Sequence, residues 1–481
     1  MSGEKLTILQ MNDSHAYLDI HQELFWDGDH ARYQLAGGYA RIATLFNNIK
    51  EENPYETLVF DCGDTIHGTY PAVKSRGMAL IPILNYLGFD AMTAHWEFAY
   101  GPEHFINLTK SLDYPMLAIN CYYESDNHLV FKPWIIKEVG NLRVGVIGIA
   151  ATIIDKTMPA FFSKGVYFTL GNEELPYYIK KLRNQEKVDV IVVISHLGFP
   201  QEVKLAQEVD GVDILLSSHT HNRLYKPVIV NKTILIQSGC HGSFIGRLDL
   251  DILHGTISNF QHQLITVTPD IPPDPEVQEM VDHVLNPCRD KLAEVVGYTS
   301  TGLNRNTVLE STMDNFLLKS ILAQTKAQIA FSNGWRYGAP VPPGKITLND
   351  LYNIIPMNPP VSTVKLTGRE IWMMLEESLE HLFSRDPYNQ MGGYMKRCMG
   401  LNLYFKVENS PGNRVQEIFI QGKKLKMDET YHAAYVTSQG VPPNYGEKHE
   451  TGDVKAIDAM LKYLKDSPSF KSELQGTVTA I

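Results

Sequence analysis

LTILQMNDSH, residues 6–15, runs from an apolar stretch of strand length straight into Asn12, Asp13, Ser14 and His15. Four more segments repeat the pattern. TLVF, residues 57–60, leads into Asp61, Cys62, Gly63 and Asp64. FDAMTA leads into His95, VDVIVVIS into His196, and VDILLSS into His219, Thr220 and His221. Many of these runs are continuously apolar, which suits strands buried on both faces. In α/β sheets, ligands gather at the carboxyl ends of strands. A single His or Asp there means little; five strand ends carrying one define a site.

Working outward, further strand-length runs are PMLAIN, LRVGVIGIA, TILIQSG and IGRLDLDIL. Helix-length segments lie between them, such as GGYARIATLFNNIKEEN and NEELPYYIKKLRNQEK. Strands alternating with helices predict an α/β layered domain over residues 1–265. TVTPDIPPDPEVQ, about residues 266–278, is rich in Pro and Asp and reads as a boundary. EVQEMVDHVLNPCRDKLAEVV follows as a connecting helix, so 266–297 is read as linker and helix. Residues 298–481 mix helices (MDNFLLKSILAQTKAQ, GREIWMMLEESLEHLF) with short strands (VQEIFIQGKKL, YHAAYVT), which predicts a smaller α+β domain.

The chain has 481 residues, long enough for two cores, with a globular composition of 44% hydrophobic and 20% charged residues. A net charge of −11 argues against nucleic-acid polymers and anionic membranes as partners. No apolar run is long enough to cross a bilayer. The start, MSGEKLTILQMND, lacks the pattern of a secretory signal, so a cytoplasmic location is expected. Five scattered cysteines without a CxxC pair read as buried free thiols rather than a disulfide framework.

The residue types at the strand ends explain their chemistry. Imidazoles and carboxylates are donors suited to Zn²⁺, Mn²⁺ or Fe²⁺, and no Cys joins them, which argues against a structural zinc. A carboxylate has two oxygens and is able to bridge two ions. Two ions roughly 3.5–4 Å apart activate a bridging water and clamp both attacking and leaving oxygens. Asp64 is the candidate bridge, because it follows its strand on a glycine turn.

DSH, GD and HTH in this order resemble the calcineurin-like metallophosphoesterases. ESTMDNFL, NGWRYG, PGKITLNDLYNIIP and VKLTGREIWMMLE resemble the carboxy-terminal substrate domain of the 5′-nucleotidase family. The resemblance covers nearly the whole chain. It implies a four-layer αββα metal domain followed by a 5′-nucleotidase C-terminal-type domain. One metal would be held by Asp13, His15, Asp64 and His221, the other by Asp64, His95, His196 and His219. Asn333 and Arg336, in NGWRYG, fall at a substrate-binding position, with Arg336 matching a family arginine for the anionic group. The implied reaction is cleavage of a small anionic phosphate monoester, such as a nucleotide, by a metal-bridging hydroxide. Manganese is the first expectation, with zinc or iron as alternatives.

Two departures qualify this. The family's Gly-Asn-His-Glu is here Ala94-His95-Trp96-Glu97. His95 replaces a ligating Asn, and Trp96 replaces the His that assists the leaving group. Indole has no useful acid or base function, so that role is either absent or moved to another residue, with His67 and His241 as candidates. The base-stacking segments also differ, reading Pro356-Met357-Asn358-Pro359 and Gln439-Gly440-Val441-Pro442-Pro443-Asn444-Tyr445. GDTIHGT, HWEFAYG, NGWRYG and DPYNQMGGYMKR resemble the SoxB thiosulfohydrolase branch, which releases sulfate from a carrier-bound S-thiosulfonate. On that alternative a carrier protein becomes a partner. His67, Trp96, Arg336, Tyr388, Gln390 and Arg397 would then line or flank the pocket. A metal-stabilised binding protein without turnover is the reading from another class.

Overall fold

The computed structural model describes residues 3–53, 56–468 and 470–481. The chain divides into two compact units. The first comprises Met1–Glu23, Gln34–Lys156 and Ala160–Pro287; the second comprises Leu24–Tyr33, Thr157–Pro159 and Cys288–Ile481. The segment read as a linker, 266–297, is therefore split. The helix Pro275–Leu292 runs through the division, and residues up to Pro287 cluster with the first unit.

Among the described residues the first unit holds a five-stranded and a six-stranded sheet. In the five-stranded sheet Glu4–Met11 and Thr57–Asp61 run parallel at the centre, followed by the short strand Ala91–Met92. The antiparallel pair Phe244–Leu253 and Thr256–Thr266 closes the other side. In the six-stranded sheet, Leu142–Ile149, Val190–Ser195, Ile214–Leu216 and Thr233–Ile236 are parallel and central.

Strand alternation explains the layers. Ile8, Phe60 and Leu248 from one sheet share a core with Val144, Val192, Ile194 and Leu216 from the other, so the sheets pack face to face. The opposite face of the six-stranded sheet, including Ile147, Ile191 and Val193, is covered by Leu175, Ile179 and Leu182 of helix Leu175–Asn184 and by Leu205 of helix Phe199–Glu208. Leu9 and Val59 point away from the intersheet core, and both are fully buried. Helices Tyr39–Glu52 and Ile81–Leu87 supply the fourth layer, burying Ile42, Phe46 and Ile49 along one stripe. The expected αββα arrangement is thus formed.

Two sequence expectations are corrected here. FDAMTA forms only the two-residue strand Ala91–Met92. PMLAIN forms no regular strand; its backbone stitches the two sheets together, since Leu117 N–H donates to Met92 O at 2.8 Å and Ile119 N–H to Gly148 O at 2.9 Å. Gly148 permits this approach, because a Cβ there would lie 2.2 Å from Leu117 O. A hairpin of His21–Asp27 and His30–Ala36, turning at Asp27-Gly28-Asp29, was not anticipated.

In the second unit, helix Gly368–Phe383 begins with a capping box. Thr367 Oγ1 accepts from the Glu370 N–H, and the Glu370 carboxylate accepts from the Thr367 N–H. Its apolar face, with Ile371, Leu375 and Leu379, shares a core with Val364, Leu403 and Ile418 from two sheets. The five cysteines are free and buried. No helix of the described residues is long and apolar enough to cross a membrane.

Candidate metal centre

The strands of both sheets deliver their carboxyl ends to one buried place. Glu4–Met11 leads to Asp13 and His15, Thr57–Asp61 to Asp64, and Ala91–Met92 to His95. Val190–Ser195 leads to His196, and Ile214–Leu216 to His219 and His221. Turning the side chains inward requires left-handed backbone at Asp13, His15, Asp64, His219 and His221, with φ of 50°, 47°, 58°, 69° and 58°. Such conformations cost on the order of 1 kcal/mol each in non-glycine residues and cluster at functional sites.

Each aspartate is anchored through one oxygen and presents the other. Asp13 Oδ2 accepts from Asn12 Nδ2 at 2.7 Å and from the His219 N–H at 3.0 Å. Its Oδ1 lies 3.3 Å from His221 Nε2 and 3.6 Å from His196 Nε2. Asp64 Oδ1 accepts from the Trp96 N–H at 2.7 Å. Its Oδ2 faces His95 Nδ1 at 3.2 Å, His196 Nε2 at 3.3 Å and His15 Nε2 at 3.8 Å. The imidazoles are aimed in the same way. His15 Nδ1 pairs with the His67 carbonyl and His196 Nδ1 with the Cys62 carbonyl, so that each Nε2 turns inward. His15 Nε2 and His221 Nε2 are 3.2 Å apart.

Two groups of four residues result: Asp13, His15, Asp64 and His221, and Asp64, His95, His196 and His219. In each, one ligand atom per residue lies within 4.8 Å of the others. Among the described residues, Asp13 Oδ1, His95 Nε2 and His196 Nε2 are buried without a hydrogen-bond partner. Orphaned buried polar atoms on converging imidazoles and carboxylates fit divalent cations. The electrostatics agree. Burial opposes charge on His196, yet Asp64 and Asp13 pull its pKa up to about 10, so this pocket demands positive charge. At His15 burial wins and the pKa falls to about 3, which leaves a neutral ligand. Burial also opposes the charge on Asp64, but His95 and His196 hold its carboxyl well below the usual range.

The other sequence candidates fall in three places. Trp96 and His67 flank the centre, their rings stacked at 4.7 Å and 18°. His67 is fully buried, and burial lowers its pKa to about 4. His241 sits at the opposite edge; its N–H donates to the Asp13 carbonyl at 2.8 Å, and its ring centroid is 6.1 Å from that of His221. Asn333, Arg336, Tyr388, Gln390 and Arg397 belong to the second unit. There the Arg336 guanidinium lies 4.5 Å over the Tyr394 ring, while Tyr388 and Gln390 occupy a partly exposed turn. Arg397 lies over the same Tyr394 ring as Arg336, at 5.3 Å, and is tied internally. It is 2% exposed, pairs with Asp314 at 3.1 Å, and donates to the Val308 and Thr307 carbonyls at 3.0 and 2.8 Å.

Sequence reasoning gave no role to Glu97, His21 or Glu23. Glu97 is fully buried and clamps two ligand loops, accepting from the Thr65 and His95 N–H groups at 2.7 Å each. His21 and Glu23 lie on one strand at a spacing of two, which puts both on one face. Together with His241 they form a third group of potential ligands. The signal was the alternation in HQELFWD before Asp-Gly.

Residues 294–438 match the family described as 5′-nucleotidase, C-terminal domain. Over 89% of its length the chain is 26% identical to the trifunctional nucleotide phosphoesterase protein YfkN of Bacillus subtilis, but it spans only 31% of that protein. It is 24% identical to the 5′-nucleotidase of Bos taurus, covering 98% of this chain and 90% of the bovine one. Its fold superposes on the sulfate thiohydrolase SoxB of Thermus thermophilus with a TM-score of 0.92, at 24% identity, over 99% of this chain and 96% of that one. Strand ends, ligand order and carboxy-terminal domain thus all agree with a likeness to the 5′-nucleotidases, the family model itself covering residues 294–438.

Proposed function

We propose that this chain is a metal-dependent hydrolase of small anionic esters, cleaving a phosphate monoester at a two-ion centre. The observation that carries the reading is the sharing of Asp64 by two buried four-residue ligand groups. Divalent ions held there would activate a water and offset charge on the substrate's non-bridging oxygens. Manganese is our first assignment, with zinc or iron also compatible with these donors. The chain's own residues set the geometry. Asp13 and Asp64 each hold one oxygen on a protein donor and present the other. Glu97 fixes the loops that carry Asp64 and His95.

Protonation of the leaving group cannot come from Trp96, whose indole only donates a hydrogen bond. His67 is neutral near pH 7 and locked against that indole. Of the two histidine candidates, His241 is therefore the better placed, at the edge of the group containing His15 and His221.

One observation favours a second reading, a SoxB-like thiosulfohydrolase releasing sulfate from an S-thiosulfonate. Trp96 takes the position of a histidine in the nucleotidase pattern, and the segment 386–397 resembles that branch. The deciding experiment loads metal-depleted protein with Mn²⁺. It compares phosphate release from nucleoside monophosphates and p-nitrophenyl phosphate with sulfate release from S-sulfocysteine. Phosphate release supports the first reading and sulfate release the second. Metal uptake with no turnover on either panel overturns both and leaves a binding protein.

A further inference from the structure

Outside the seven residues of the pair, the first unit contains another convergence of ligand-type side chains. His21, Glu23 and His241 each offer one atom within 4.8 Å of the others. Glu23 and His241 are 1% and 4% exposed. Glu23 Oε2 lies 3.1 Å from His241 Nδ1 and 3.0 Å from Ser243 Oγ, and that hydroxyl is 3.2 Å from His21 Nε2. Three nitrogen or carboxylate donors and a hydroxyl thus meet around one point.

The surroundings of these donors repeat those of the main centre. Ligating histidines characteristically donate their second ring N–H to a carbonyl, which fixes the tautomer and aims the other nitrogen. His15 and His196 do this towards the carbonyls of His67 and Cys62. His21 does the same, with Nδ1 3.1 Å from the Asp19 carbonyl, so its Nε2 faces Glu23 and Ser243. Gly37, at φ 81°, makes room for the ring, since a Cβ there would come 2.7 Å from His21 Cε1. The carboxylate has an outer partner too: Arg223 binds Glu23 Oε1 at 2.8 Å and leaves Oε2 turned inward.

We infer that His21, Glu23 and His241 form a third divalent-cation site, beside the group of Asp13, His15, Asp64 and His221. Two imidazoles and one carboxylate are a donor set for a borderline cation such as Zn²⁺, Mn²⁺ or Fe²⁺ that keeps open positions for water or an anionic ligand. The His241 ring centroid is 6.2 Å from that of His15 and 6.1 Å from that of His221, which sets this site alongside the pair. A cation held there would take up His241 Nδ1, so that ring would assist a leaving group only while this site is empty. The site does not depend on the pair being catalytic.

The test is metal counting on the full chain. Wild type, Glu23→Gln, His21→Ala and Asp64→Asn are stripped with chelator, re-equilibrated with Mn²⁺ or Zn²⁺ alone, and analysed by plasma mass spectrometry. The expected result is one equivalent fewer in Glu23→Gln and in His21→Ala than in wild type. Asp64→Asn should lose ions while keeping the equivalent that Glu23→Gln loses. Failure of the two-ion reading shows as an unchanged count in Asp64→Asn, and failure of the third site as unchanged counts in both other variants. Should circular dichroism show Glu23→Gln unfolded, His21→Ala, at a less buried position, decides the count. Anomalous diffraction from metal-soaked wild-type crystals is independent of every variant. A peak within coordination reach of His21 Nε2, Glu23 Oε2 and His241 Nδ1 supports the site. A peak only at the pair overturns it and reduces Glu23 to a tether for the His241 ring.

Discussion

The Trp96 N–H donates to Asp64 Oδ1 at 2.7 Å. Trp96 thus holds the central carboxylate through its backbone. Oδ2 is left facing three imidazoles, His95, His196 and His15, at 3.2, 3.3 and 3.8 Å. Substitution at position 96 changes the side-chain chemistry and leaves this anchor in place.

Asp64→Asn should therefore unload the centre without unfolding the chain. The amide oxygen still accepts from the Trp96 N–H, but a neutral group cannot bridge two cations. Losing an outer partner of a ligand already lowers metal affinity roughly 10–100-fold, so loss of the shared ligand should exceed that. Turnover should fall to background. Metal analysis and activity check the first part, and an unchanged far-ultraviolet circular dichroism spectrum the second. Retention of full metal content and rate would refute the shared-carboxylate assignment.

His67 and His241 should separate on the leaving group. His67 is fully buried, with its pKa lowered by burial to about 4, and it stacks on Trp96. His67→Ala should lower stability through the lost stack, worth about 0.5–1.5 kcal/mol, and through the cavity left behind. It should barely change turnover of p-nitrophenyl phosphate. His241→Ala should slow esters with poor leaving groups roughly 10²–10⁴-fold, the usual span for a lost acid–base partner, and activated esters far less. Equal effects of both variants on both ester types would contradict this division of roles.

Glu202 gives a pH dependence of stability. It is fully buried, and burial raises its carboxyl pKa from 4.5 to about 7 against hydrogen bonds from Ser217 and Ser195. A carboxyl whose pKa is raised by folding favours the protonated form in the native state. Its effect on stability is therefore neutral below pH 4.5, turns unfavourable as pH climbs to about 7, and is constant above. At 1.36 kcal/mol per unit this amounts to on the order of 3 kcal/mol. Glu202→Gln carries no such charge. Its stability relative to wild type, from urea unfolding, should improve between pH 5 and pH 8; parallel pH profiles would rule out the buried-carboxyl account.

What the sequence made legible follows from where the physics is local. The strand ends carry their ligands within a few residues, so all seven of Asp13, His15, Asp64, His95, His196, His219 and His221 could be named in advance, and the structure brings them together. Helix Gly368–Phe383 was readable because its capping box and apolar stripe are both local. PMLAIN was misread because its hydrogen bonds go to Met92 and Gly148 on two different sheets, a tertiary choice that apolarity alone does not encode. Glu97, His21 and Glu23 escaped because their partners, Thr65, Ser243 and Arg223, are remote in sequence. The tie of Arg397 to Asp314 escaped for the same reason, since Asp314 lies on a different element.

Arg336 and Arg397 should consequently differ in kind when replaced. Arg397 is 2% exposed, and Asp314 pairs with it at 3.1 Å while also pairing with Arg305 at 3.0 Å. Breaking a buried pair from one side leaves an uncompensated charge and typically costs about 3–5 kcal/mol. Arg305 remains on Asp314, so Arg397→Met should fall toward the lower end. Its loss should appear as a lower Tm, with KM unchanged in the folded fraction. Arg336 is half-buried and stacked 4.5 Å over Tyr394. Arg336→Ala should keep its Tm within a degree or two and raise KM for an anionic ester about 10–100-fold, the span of one lost charge-assisted hydrogen bond of ~1.5–3 kcal/mol. Arg336→Lys should restore only part of this, because an ammonium lacks the planar fork. Paired Tm and KM measurements on the three variants check the contrast, and a KM effect from Arg397→Met at unchanged Tm would place that residue in the substrate pocket.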